Sequence, residues 1–149
     1  MVRHLRPGDE ACIFVFSTQL DFEQDLTGND ALLTEAMEGL RPRPGRALLE
    51  GVSFAAGHLK RIGKNPNRVL LVVSDGRNTG GKGQVLPASS EISGVKISSI
   101  GFNVDDAAGR DLLQHLAEVT GGQTSFVNGP QDFHLATARI TQSIGIPMP

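Results

Sequence analysis

Tryptophan and tyrosine are absent from this 149-residue sequence, and its 7 phenylalanines are its whole aromatic complement. A platform on which nucleic-acid bases could stack therefore has little material. An excess of positive charge is missing too: 14 Lys and Arg stand against 16 Asp and Glu, and the resulting net charge of −2 gives no electrostatic reason to bind nucleic acid or an anionic membrane. There is one cysteine, Cys12, so an intramolecular disulfide is excluded, and its place inside "ACIFVF" marks it as a buried small hydrophobe. Long apolar runs are lacking. The longest, "ACIFVF", and the next, "VLLVV", fall far short of the roughly 20 residues that span a bilayer, and the charged start "MVRHLRPGDE" has no apolar core of the signal-peptide kind. No repeat or low-complexity segment interrupts the chain, whose length suits one domain over residues 1–145 with a short tail at 146–149.

What is present is an alternation of strand and helix patterns. "ACIFVF" at 11–16 is a continuous apolar run, the pattern of a strand covered on both faces, and "QLDFEQDL" supplies a more polar hairpin partner at an edge. Asn29 is a good N-cap for a helix that places Leu32, Leu33, Ala36, Met37 and Leu40 on one face before Pro42 stops it. A second helix, from about Arg46 to Ile62, buries Leu48, Val52, Ala55 and Leu59 and ends at Gly63. "RVLLVVS" and "KISSIGF" are strands with room for only a short helix between them. A helix with Leu112, Leu113, Leu116 and Val119 on one face follows, then the strand "QTSFV" and a closing helix aligning Phe133, Ala136, Ile140 and Ile144. The predicted fold is α/β: an open three-layer sandwich, with a mostly parallel sheet, one antiparallel edge strand and helices on both faces.

Chemistry concentrates where "LLVVS" runs into "DGRNTGGKG". Residues 76–82 match GxxxxGK after a strand, the arrangement in which backbone N–H groups and a lysine, here Lys82, hold phosphates. The position that should supply a hydroxyl for Mg²⁺ is Gly83, however, and Pro87 lies where a helix N-terminus should begin. A nucleotide- or phosphate-binding loop at Gly76–Gly83 is thus the second reading. The first rests on Asp75, a carboxylate at the C-terminal end of a central parallel strand, where open α/β sheets bind ligands.

The run "RPGDEACIFVFSTQLDFEQDLTGNDALLTEAMEGLRP", a helix, and then "RVLLVVSDGRNTGG" resemble the von Willebrand factor A domain over roughly residues 5–140. The resemblance implies a sheet of order 3-2-1-4-5-6 and a metal-ion-dependent adhesion site. The ligands of that site come from a DxSxS loop after the first strand, a Thr before the helix preceding the fourth strand, and an Asp at the end of the fourth strand. Asp75 followed by Gly76 matches the last element. Arg46 stands in the threonine position, DxSxS occurs nowhere, and the family's first strand is missing. One carboxylate is too little for the octahedral oxygen coordination of Mg²⁺, so no cofactor is expected as written, and Asp75 becomes a Mg²⁺ ligand only if a DxSxS motif precedes the sequence. An arginine brings a fixed positive charge to where the metal would lie; Arg46 solvated at a helix N-terminus is the expectation, and Arg46 paired with Asp75 in place of the cation is the sharper alternative.

Other constellations are weaker. Asp21, Glu23 and Asp25 lie on one strand face without the glycine or closing glutamate of a calcium loop, the pattern of a solvated edge. "GVSFA" at 51–55 imitates a nucleophile elbow inside a helical pattern, so Ser53 is structural. His4, His58, His115 and His134 share no ligand spacing and are expected at surfaces or boundaries.

Without a first strand, the strands at 11–16 and 68–74 would flank an empty central slot. Direct pairing of the two, giving order 3-2-4-5-6, is the expectation for a monomer; insertion of a strand from another chain, with self-association through the gap, is the alternative. The expected function is a non-catalytic protein-binding module of adhesion type, using Asp75, Gly76, Arg77 and Asn78 with Arg46 beside them. Its partner is another protein, not nucleic acid or the membrane interior. A decayed fragment is the remaining alternative. The location expected from the sequence as written is cytoplasmic, or secreted or membrane-anchored if the native chain extends N-terminally, as in many members of that family.

Overall fold

The computed structural model describes residues 5–41, 43–79 and 86–143. Two strands, β1 (Ala11–Phe16) and β2 (Leu20–Thr27), form an antiparallel hairpin. Helices α1 (Asp30–Gly39) and α2 (Leu48–Ile62) follow, then β3 (Arg68–Ser74), α3 (Ser89–Ile92), β4 (Val95–Phe102), α4 (Ala107–Glu118), β5 (Thr124–Val127) and α5 (Pro130–Ser143). Strands β3, β4 and β5 make a parallel sheet in that order. The architecture is the α/β open sandwich expected from the alternation of segments.

Successive strand residues serve opposite layers. Leu70 and Val72 of β3 and Ile97 of β4 join α2, α3 and α4 in one core, through Leu48, Val52, Ala56, Ile92, Leu113 and Leu116. Leu71 of β3 and Ile100 of β4 join Ala136 and Ile140 of α5 in a second core. This period-two division places helices on both faces of the parallel sheet. Phe16 of β1 packs against the α2 core, which fixes the hairpin to the same helix.

The expected direct pairing of β1 with β3 is wrong. The strands belong to two separate sheets, and among the described residues no backbone hydrogen bond joins them. Each strand is instead anchored independently to α2. Ala47 donates to the Ser17 carbonyl at 2.8 Å at the end of β1, and Leu49 donates to Asn78 Oδ1 at 3.3 Å beyond the end of β3.

Several local expectations also change. Of the apolar stripe on α1 only Leu33 is fully buried, while Leu32 and Met37 are exposed, because α1 meets the hairpin along a narrow line. Val119 is exposed, since it caps α4 instead of continuing its buried face. Helix α2 starts at Leu48, leaving Arg46 in the approach to the helix. Ile144 and the tail at 146–149 lie outside the described residues, as do His4, Gly81, Lys82 and Gly83.

Candidate functional site

The C-terminal ends of β1 and β3 and the N-terminus of α2 converge on Asp75. Its placement begins with Gly76, whose φ of +79° is open to glycine and strained for other residues. A Cβ there would also lie 2.8 Å from the Gly109 Cα in the first turn of α4, so the chain leaves β3 by passing directly over a helix backbone. Asp106 caps that helix, accepting from the Gly109 amide at 2.6 Å. The Gly76 amide donates to Ser74 Oγ at 3.1 Å, and the Arg77 amide donates to Asp75 Oδ1 at 3.1 Å, which closes an Asx turn.

On the other side, Gly45 carries φ +94°, and a Cβ there would meet the Thr18 backbone nitrogen and methyl at 2.5 Å. This close pass delivers Arg46 to the site. Its Nε donates to Asp75 Oδ2 at 2.8 Å, with side-chain exposures of 43% and 32%. A cation beside a helix N-terminus is opposed by the helix dipole, and the Asp75 carboxylate offsets that cost. Asn78 has a structural task that its sequence context did not announce. Ala47, the N-cap of α2, has no side chain able to cap, and Asn78 Oδ1 supplies the missing acceptor from a distant loop. Arg77 is exposed.

Both Asp75 oxygens thus already accept hydrogen bonds, one from a permanent cation. Among the described residues no group of 3 or more His, Cys, Asp or Glu side chains could hold a metal. The donors present do not fit Mg²⁺, which needs an oxygen cage. Beside Asn78 opens a cleft of about 640 Å³, with Leu49 and Leu112 on its apolar side and Asp111, His115 and Glu118 along α4.

Comparison with solved structures finds others of this fold. A conserved hypothetical protein BatB from Bacteroides thetaiotaomicron superposes with TM-score 0.69 at 16% identity, over 96% of this chain and 82% of that one. An aerotolerance-related membrane protein from Bacteroides fragilis NCTC 9343, with multiple mutations to serines, gives TM-score 0.71 at 17% identity over the same shares. The chain has the fold of those two proteins. No family model and no curated protein sequence matches it. Among the described residues no helix is long and apolar enough to cross a membrane.

A second polar cluster escaped the sequence reading. His58, expected near the surface, is 5% exposed and surrounded by the rings of Phe14, Phe22 and Phe54 at 4.6–6.2 Å. Its Nε2 lies 2.8 Å from Asp25 Oδ1, and its Nδ1 lies 3.4 Å from an Arg61 guanidinium nitrogen. A guanidinium can only donate, so Nδ1 is the acceptor and Nε2 carries the proton given to Asp25. That hydrogen bond, helped by the Leu26 amide, holds the Asp25 carboxyl below its usual range. The expected single acidic face does not form. β2 has one extra residue, Glu23, between the pairs Ile13–Gln24 and Phe14–Phe22, and this bulge turns Asp25 toward His58. Asp21 and Glu23 instead share Arg43, each at 2.6 Å. Ser53 bonds Glu91 at 3.3 Å and thereby ties α2 to α3.

Proposed function

We propose that this chain is a non-catalytic protein-binding module of the von Willebrand factor A type, in which an arginine takes the place of the metal ion. The observation that carries the reading is the 2.8 Å contact between Arg46 Nε and Asp75 Oδ2. It places a permanent cation beside the carboxylate at the strand end where α/β sheets meet their ligands. The exposed Arg77 and the half-exposed pair form the rim that a partner would touch. An acidic group on the partner protein is the natural complement, recognised by the guanidinium groups directly. One protein of this fold is described as an aerotolerance-related membrane protein, and a membrane-tethered setting for this chain belongs to the same proposal.

The test is capture of a partner on the immobilised protein from its native host, with washes in EDTA and in Mg²⁺. Equal retention in both, together with loss on Arg77→Glu, supports the proposal. Release by EDTA alone overturns it.

A further inference from the structure

The end of the parallel sheet opposite Asp75 holds a second cleft, of about 480 Å³, between the starts of β3 and β4, the short helix α3 and the end of α4. Two half-buried cations, Arg68 and Lys96, line it, and among the described residues no acidic side chain does. Arg68, the first residue of β3, is held at the C-terminal end of α2, where Nε donates to the Leu59 carbonyl at 3.0 Å and Nη2 to the Gly63 carbonyl at 3.5 Å. The end of a helix favours a cation, so the guanidinium keeps its place without a carboxylate. Its Nη1 donors have no acceptor among the described residues.

Lys96, the second residue of β4, has no hydrogen-bond or ion-pair partner among the described residues. A third cation borders the cleft: Lys60 of α2 donates to the Ser90 carbonyl of α3 at 2.8 Å. Carboxylates on the neighbouring elements serve other groups. Glu91 of α3 accepts from Ser53 and from the Ala88 amide, Glu118 of α4 accepts from Gln114, and Glu10 pairs with Lys64. Holding cations partly out of water without a counter-charge is costly, and an anion in the cleft removes that cost.

We propose that this cleft binds the phosphate group of a monoester with an apolar body. A phosphate monoester carries about −1.5 to −2 charges near neutral pH, which matches two unpaired cations where a carboxylate would match one. Asn67 and Ser89 add neutral donors to the same walls. Val119, which is 53% exposed at the end of α4, lines the cleft as well and offers the rest of the molecule an apolar surface. The site does not depend on the Arg46–Asp75 pair, which lies at the other end of β3. A soluble phosphate ester and a lipid headgroup present the same chemistry to it.

The experiment is an NMR titration of the full chain with phenyl phosphate, against sodium chloride at equal ionic strength. Saturable shifts at the amides of Arg68, Ser89, Lys96 and Val119 are expected with phenyl phosphate only. Lys96→Gln, which removes a side chain with no partner to lose, should weaken binding by about tenfold or more, and Lys96→Arg should restore most of it. Shifts that never saturate, that chloride reproduces, or that Lys96→Gln leaves unchanged overturn the proposal. A second arm finds the source of the phosphate, using vesicles of equal parts phosphatidylcholine and phosphatidic acid beside vesicles of phosphatidylcholine alone. Given saturable binding, retention on the acidic vesicles that phenyl phosphate competes away assigns the cleft to a lipid headgroup. No such retention assigns it to a soluble ester.

Discussion

Arg46 and Asp75, 29 residues apart in sequence, meet through a 2.8 Å hydrogen bond between Nε and Oδ2. The contact depends on two backbone passes that only glycine allows comfortably, at Gly45 and Gly76. The geometry is therefore imposed by the chain's path more than by the attraction between the charges.

That distinction predicts a small stability effect for the ion pair. Both side chains are about a third or more exposed. Arg46→Ala should cost less than about 1 kcal/mol in urea unfolding, and the difference should shrink in high salt.

Replacing the glycine should cost more. Gly76→Ala puts a methyl 2.8 Å from the Gly109 Cα at φ +79°, and a loss of about 2 kcal/mol or more is expected from the same unfolding curves. Gly57→Ala in α2 is the control: nothing lies within 4 Å of the added Cβ, and a gain of about 0.5–1 kcal/mol is expected.

The His58–Asp25 contact predicts a dependence on acid. Because the folded carboxyl is held below its usual range, its contribution is fully present above the unfolded value near pH 4 and is lost as pH falls through the lower folded value. Wild type should therefore lose stability between about pH 5 and 3 more steeply than Asp25→Asn in parallel thermal melts.

Cys12 should be slow to react. Burial, with the Asp25 charge as a lesser cause, pushes its thiol up to about 11. Alkylation by iodoacetamide at pH 8 should lag well behind a free thiol and accelerate in urea.

The fold was legible in the sequence because its strands and helices carry strong periodicities, from "ACIFVF" to the stripe of α4. The placement of Asp75 just past the end of β3 was legible because an apolar run that breaks at an acidic residue and a glycine marks the end of a strand. What stayed hidden depended on pairing register and distant contacts. The bulge at Glu23 reverses which way Asp25 faces, and no local pattern in "DFEQD" encodes it. Asn78 caps a helix that begins 30 residues earlier, at Leu48, and nothing around Asn78 names that helix. The separation of β1 and β3 into two sheets is a matter of tertiary packing that neither strand's sequence carries.

The most direct test of the account is a calorimetric titration of Mg²⁺ and Mn²⁺ into the wild-type chain, repeated with Arg46→Thr. On the proposed reading, in which Arg46 takes the place of a cation, the wild type should give no saturable heat at millimolar metal. Stoichiometric binding by the wild type, abolished by Asp75→Ala, would contradict it.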